Sequence, residues 1–286
     1  MNISNAKQTT VFRPLPQGSS GSPAQKPTVP PGWTLDTEND WRHDGDFVVA
    51  GGKTVPGDTP LEELTPFLPD NGVEARGDLI VVNGIMSDVA LQSADLQAFA
   101  NKGYRVVGIH NATKGMLRDL AQCLGDKLDL RMANNKAVDT ARRVAQQVLS
   151  KQAAVTLYGH SQGALVLSRA LDQISQELAQ DGKDERAIQD KLSPLQVETL
   201  GGASATFPTG PQYTHRYNSY DMVPLFTGRP LFSKLKTYPG EKFDRFSVLR
   251  PAGELPPWKN GVWNRLARLV DATTHGARDV YVDRIP

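Results

Sequence analysis

Apolar residues along this chain fall into two rhythms. Short unbroken runs, such as Leu79-Ile80-Val81-Val82, alternate with longer segments in which apolar positions recur every three or four residues. Unbroken runs bounded by turn residues predict buried strands, and three-four spacing predicts amphipathic helices. Strands are therefore expected over Leu79–Val82, Tyr104–Ile109, Ala153–Tyr158, Leu195–Leu200, Tyr213–Asn218 and, last, Phe246–Leu249. Helices are expected over Ala90–Asn101, with Leu91, Ala94, Leu96, Phe99 and Ala100 on the apolar side, over Met116–Leu128, through Val138, Ala141, Val144, Ala145 and Val148, and over Ala164–Gln180. Asp46–Val55 reads as a hairpin about Gly51-Gly52, and Thr59–Gly77, punctuated by Pro60, Pro66 and Pro69, as a connector with at most one helical turn. The mixed-charge run Gln180–Gln189 reads as a solvated loop or helix end, and no repeat is present. Strands that alternate with helices imply an α/β fold, a mostly parallel central sheet covered by helices on both faces.

Composition changes this picture at the amino end. Residues 1–31 are rich in Ser, Gln, Pro, Thr, Asn and Gly and poor in apolar clusters. Such a segment buries too little surface to offset its ordering entropy and is expected to be a disordered tail. It has no apolar h-region, so it is not a general secretory signal peptide. Its composition resembles the amino termini of bacterial effectors exported by contact-dependent secretion systems, set against the default of a plain tail on a cytoplasmic protein. Residues 32–286 are expected to form one domain, with 32–76 as hairpin and connector and 77–286 as the catalytic core. The net charge of +1, from 32 basic and 31 acidic residues, provides no global field toward nucleic acid or anionic membrane. A single cysteine, Cys123, allows no intrachain disulfide and lies in a helix-patterned stretch where it reads as a packed residue. No apolar run is long enough to span a membrane.

The chemistry concentrates in Val155-Thr156-Leu157-Tyr158-Gly159-His160-Ser161-Gln162-Gly163-Ala164. A β-prone run, Gly-x-Ser-x-Gly and a helix-prone run in succession describe a sharp strand-to-helix turn that pushes a serine hydroxyl out over the end of a sheet. Gly159 and Gly163 are expected where strand and helix cross too closely for a Cβ. The competing reading is a turn whose serine only caps the helix. A nucleophilic serine needs a base, a group to orient the base, and donors for an oxyanion. In sheets with such a turn the chain order is Ser, acid, His. Of the five histidines, His43 precedes the sheet, His110 precedes the serine and at most lines the pocket, His160 points away from Ser161's side, and His215 lies within a strand. His275, in the small-residue stretch Ala272–Ala277, satisfies order and context. Asp221 leaves the carboxyl end of the strand Tyr213–Asn218, where open α/β sheets gather catalytic groups. Asp244 is expected at the opposite end of the sheet, and Asp271, on a helix before His275, is a distant second choice.

Taken together these motifs resemble the α/β-hydrolase superfamily and, within it, the class 3 lipases. The resemblance runs over about residues 77–286. It is carried by Gly159–Gly163, by the strand and small-residue turn Glu198-Thr199-Leu200-Gly201-Gly202-Ala203, by Asn218-Ser219-Tyr220-Asp221-Met222-Val223-Pro224, and by the late His275. Two departures are Gln162, where those lipases have Leu or Met, and Asn83-Gly84-Ile85-Met86, where they have a Gly-Thr/Ser turn. The resemblance implies a carboxylic ester hydrolase with Ser161, Asp221 and His275 as its triad. The backbone N–H groups of Gln162 and of Ile85, or Met86 if the turn is one residue longer, would form the oxyanion hole, with Gly84 admitting substrate. Met86 and Met222 are expected to line the acyl side with Ile85, Val223, Leu225, Phe226, Leu231 and Phe232, although ordinary packing also accounts for such residues. The partner would be a small-molecule or lipid acyl compound, with transient contact to a lipid surface. No phosphate-binding loop, metal-ligand spacing or dinucleotide fingerprint occurs, so no cofactor or metal is expected. An acyltransferase using the same triad and a non-catalytic binding module of the same fold are the alternatives.

Overall fold

The computed structural model describes residues 10–12, 41–84, 87–112, 135–228, 239–248, 275 and 277–285. A hairpin, β1 (Phe47–Val49) and β2 (Lys53–Val55), enters the fold, followed by β3 (Asp78–Val82), α1 (Val89–Ala100) and β4 (Arg105–Ile109). The chain continues with α2 (Lys136–Lys151), β5 (Val155–His160), α3 (Gln162–Gln180), α4 (Glu185–Leu192), β6 (Gln196–Leu200), β7 (Gln212–Asn218), α5 (Met222–Thr227) and β8 (Glu241–Phe246). The strands form one eight-stranded sheet in the order β2-β1-β4-β3-β5-β6-β7-β8. From β4 across to β8 every pairing is parallel, whereas β1 runs antiparallel to both β2 and β4.

The apolar runs become the middle of this sheet because strands covered on both faces bury every side chain. All five residues of β3 are buried. On one face α2 and α3 pack over Ile80, Val82, Leu157 and Val197. The expected stripe Val138, Ala141, Val144, Ala145 and Val148 is the face that α2 buries. On the other face α1 and a carboxyl-terminal segment (277–285) cover Leu79, Val81, Val106 and Tyr158. In α1, Ala94, Leu96, Phe99 and Ala100 are buried as expected, but Gln92 takes the inner position in place of the half-buried Leu91. Its amide donates to Ile109 O at 3.1 Å, which satisfies the polar group inside the core.

Three expectations are corrected. The last strand covers 241–246 rather than 246–249, so Asp244 lies within β8, beside Arg216 of β7, and not at the far end of the sheet. An edge strand carrying Glu241, Lys242, Asp244 and Arg245 offers no apolar run to recognise. The charged stretch after α3 includes a helix, α4, whose cap Asp184 accepts from Ala187 N at 2.8 Å and whose inner residue is Leu192. Residues 10–12 are docked rather than loose. Val11 N donates to Asp78 Oδ2 at 2.8 Å, and the Phe12 ring is buried in the α2–α3 core. The rest of the expected tail, Cys123 and the helix expected over Met116–Leu128 lie outside the described residues.

Candidate active site

The turn after β5 has the strand–serine–helix form expected of it. Ser161 takes φ +54° and ψ −120°, and α3 starts at the next residue. A left-handed φ on a residue with a Cβ costs about 1–3 kcal/mol and persists only where its surroundings hold it. Here Ser161 N donates to Leu200 O at 3.0 Å, while Ala164 N and Ala203 N donate to Ser161 O at 3.1 and 2.9 Å. The serine side chain makes no capping bond to α3, so its hydroxyl is not used as an N-cap. A Cβ on Gly159 would lie 2.7 Å from Ala164 Cα, the strand–helix crossing anticipated above. At Gly163 the obstacle is the end of β3, with Val82 O at 2.2 Å from such a Cβ. Gly84, expected to admit substrate, makes room for Ser161 itself, whose Cβ would be 2.7 Å from an added methyl.

Asp221 caps α5 through Oδ1, which accepts from Val223 N at 3.0 Å. Its other oxygen, Oδ2, meets His275 Nδ1 at 2.6 Å and the Tyr281 hydroxyl at 2.6 Å. A carboxylate only accepts, so Nδ1 carries the proton and Nε2 is left as the basic nitrogen. Asp221 is fully buried and His275 is 6% exposed. Gly201, at φ +57°, underlies this junction, because a Cβ there would come within 2.8 Å of Asp221 Oδ2 and Tyr281 Oη and 3.0 Å of His275 Nδ1. The same turn bonds Ser161, so the serine, acid and imidazole share one end of the sheet. A hydroxyl, an imidazole with a basic nitrogen and a buried carboxylate behind it can together move a proton off an attacking oxygen and return it to a leaving group.

His160 packs against His275. Strand alternation puts it on the face of Tyr158, toward the carboxyl-terminal segment. Its ring lies 4.9 Å from that of His275, and its Nε2 is 2.7 Å from His275 O. The carbonyl can only accept, so Nε2 bears the proton, and burial with His275 close by pushes the His160 pKa down to about 3. It is thus a neutral clamp on the His275 backbone. His43 meets Asp46 at 3.1 Å in the hairpin region, as a structural residue would. His215 is buried between Thr199 Oγ1 at 2.8 Å and Glu241 Oε1 at 3.2 Å, also in keeping with a core position. His110 is fully buried at the end of β4, its Nδ1 2.7 Å from Gln92 Oε1.

A polar network that sequence reasoning missed holds the turns on the other side of Ser161. The Gln162 side chain accepts from Asn111 Nδ2 at 2.9 Å, and Asn111 Oδ1 accepts from Asn135 Nδ2 at 3.1 Å. Asn111 N donates to Asn83 Oδ1 at 2.7 Å, and Asn83 Nδ2 donates to Gly84 O at 2.9 Å. Gln162 is therefore tied by its side chain to Asn111 after β4, and through Asn111 to the turn after β3, which accounts for its departure from an apolar residue. Ile85 and Met86, assigned to the oxyanion hole and acyl side, lie outside the described residues, as do Leu231, Phe232 and Asp271. Met222 begins α5 directly after Asp221; the lining role expected of its side chain also falls outside the description. Among the described residues no three His, Cys, Asp or Glu side chains are grouped to hold a metal ion, and no helix is long and apolar enough to cross a membrane.

Compared by sequence, the chain matches no protein-family model and no curated protein. Solved structures similar to it include a Thermus thermophilus protein, at 15% identity and a TM-score of 0.36, covering 63% of this chain and 81% of that one. An esterase of Pyrobaculum calidifontis is similar at 12% identity and a TM-score of 0.38, covering 62% of this chain and 69% of its own. A dienelactone hydrolase from Anabaena variabilis is similar at 13% identity and a TM-score of 0.37, covering 72% and 87%. The overlaps are partial, and the fold class rests on this chain's own sheet and turn. The mostly parallel eight-stranded sheet, its helices on both faces and the serine turn after β5 make an α/β-hydrolase fold.

Proposed function

We propose that this α/β-hydrolase-fold protein is a serine hydrolase that cleaves a carboxylic ester through an acyl-enzyme. The observation that carries the reading is the 2.6 Å contact between His275 Nδ1 and the buried Asp221 Oδ2, beside a serine held at φ +54°. In the proposed first step His275 Nε2 takes the Ser161 proton as Oγ bonds to the acyl carbon and the carbonyl electrons move to oxygen. Asp221 keeps the imidazole in one tautomer and stabilises its cation. The oxyanion is held by the N–H of Gln162 and by that of Ile85 or Met86. The tetrahedral species collapses, the leaving alcohol takes the proton from His275, and water then releases the acid by the same steps in reverse. The spacing Asn218-x-x-Asp221-Met222-Val223-Pro224 favours a lipase-like acyl ester, with Met86 and Met222 on the acyl side and brief contact with a lipid surface.

Hydrolysis of p-nitrophenyl esters from acetate to palmitate tests this reading. Ser161→Ala and His275→Ala should each lower kcat about 10⁴-fold or more without loss of fold, because nucleophile and base act as one unit. Asp221→Asn should cost about 10³ to 10⁴, whereas Asp271→Asn should cost little. The reverse order would make the acid assignment wrong. Absence of Ser161-dependent hydrolysis at every chain length would sink the ester reading, and diversion of the acyl group to added alcohols or amines would make the protein an acyltransferase.

A further inference from the structure

The carboxyl-terminal segment delivers two groups, not one, to the same carboxylate oxygen. His275 and Tyr281 lie six residues apart across a π-helical turn (Ala277–Tyr281), and both reach Asp221 Oδ2 at 2.6 Å. Nothing in the apolar pattern calls for a hydroxyl at 281, and a phenylalanine would fill the same space against Phe246, whose ring centroid is 5.3 Å away. The hydroxyl is oriented from behind, because Asn218 N donates to Tyr281 Oη at 3.2 Å. With a donor on one side and a carboxylate that only accepts on the other, the phenolic proton must point at Asp221. The ring is fully buried. Burial and the nearby carboxylate push its pKa far up, so that proton stays in place across the working range.

On the serine-hydrolase reading, we propose that Tyr281 is a positioning residue that sets the pH at which His275 becomes a base, by sharing the negative charge of Asp221. A carboxylate that accepts a second strong hydrogen bond is a weaker partner for an imidazolium, so His275 gives up its proton at lower pH. Gly201 leaves the space in which all three groups meet. Among the described residues, the other titratable group against the junction is His160 from β5, with its ring 6.0 Å from Tyr281 and 4.9 Å from His275. Its pKa near 3 keeps it neutral where a histidine base titrates. From α1 the inner residues are Gln92, Ala94, Leu96, Phe99 and Ala100, none of which ionises. From β8 the contact is Phe246, with Arg284 over its ring at 5.0 Å, and Lys102 pairs with Asp283 at the end of the segment.

The test is the acid limb of kcat/KM, measured with p-nitrophenyl butyrate on the full chain, since that limb reports the base of the free enzyme. In Tyr281→Phe the limb should move up by about 0.5–1 pH unit, the size expected of one lost hydrogen bond to a charged group. One unit below the wild-type limb this is a further loss of about 3- to 10-fold in kcat/KM, with KM unchanged within about twofold. Tyr281→3-fluorotyrosine, isosteric and a stronger donor, should move the limb down. A folded variant whose limb stays in place overturns the proposal, and if Tyr281→Phe does not fold, the fluorotyrosine protein decides. A wild type without Ser161-dependent turnover would remove the hydrolase reading but not the junction. The ¹H resonance of His275 Nδ1–H, followed in ¹⁵N-histidine-labelled protein, then decides: it shifts in the fluorotyrosine protein if Tyr281 acts through Asp221 and stays if it does not.

Discussion

Gly201→Ala isolates the geometry on which the account depends. The added methyl would stand 2.8 Å from Asp221 Oδ2, 2.8 Å from Tyr281 Oη and 3.0 Å from His275 Nδ1. All three atoms are held by hydrogen bonds and buried side chains, so relief requires the junction to open by several tenths of an ångström. Alanine at φ +57° adds left-handed strain of about 1–2 kcal/mol, and overpacking adds a similar amount. Stability should fall by about 2–4 kcal/mol, a Tm loss of about 5–15 °C for a domain of this size. Displacement of an acid–base pair approaching 1 Å costs about 10²-fold in rate, so kcat should fall by that factor at temperatures where the variant is folded. Gly72→Ala is the matched control. It has φ +81° and no atom within 4 Å of an added Cβ, so it should lose only the backbone term of about 1–2 kcal/mol and no activity. Ester hydrolysis and thermal melts of the two variants side by side decide the matter. If Gly201→Ala matches Gly72→Ala in both readouts, the reasoning from this junction is wrong.

Two further outcomes follow from groups away from the reacting atoms. Phe12→Ala should cost about 3 kcal/mol or more in urea unfolding, because a ring 1% exposed is deleted from the core. It should leave kcat alone, since Thr10 and Val11 bind Asp78 at the amino end of β3, away from the site; a neutral Phe12→Ala would mean the contact contributes nothing. His160 has a folded pKa of about 3, below its ordinary value, so its contribution to stability is complete above about pH 6.5 and is lost as pH falls toward 3. At pH 5 the loss should be about 2 kcal/mol, and His160→Asn, neutral at every pH, should flatten the slope of stability between pH 6.5 and 5; an unchanged slope would contradict the assignment.

What could be read in the sequence follows from what each residue touches. The β3 run and the Val138–Val148 stripe were legible because elements buried on one or both faces must repeat apolar residues at the period of their own backbone. Ser161, Asp221 and His275 were legible as an order along the chain, and the structure brings Asp221 and His275 into contact at the end of the sheet that carries Ser161. Tyr281, Asn111 and Gln92 were not. Each is a polar residue buried by a partner 60, 51 or 17 positions away, and no local period records such a pairing. Phe12 was hidden for a related reason: one aromatic in a Ser- and Pro-rich stretch gains its place only through the Asp78 carboxylate that fixes the neighbouring backbone. The contact of His160 with His275 was hidden likewise, because the two lie 115 positions apart.

The central claim is that Ser161 is an activated nucleophile at the junction it shares with His275 and Asp221. Reaction with a fluorophosphonate tests it most directly, because the probe needs a nucleophile, a base and an oxyanion site but no knowledge of the natural substrate. The account predicts one covalent adduct per chain by intact mass, mapped to the peptide that contains Ser161, abolished in Ser161→Ala and slowed at least about 10³-fold in His275→Ala. A folded protein that takes up no probe, or one whose labelling survives Ser161→Ala, would contradict it.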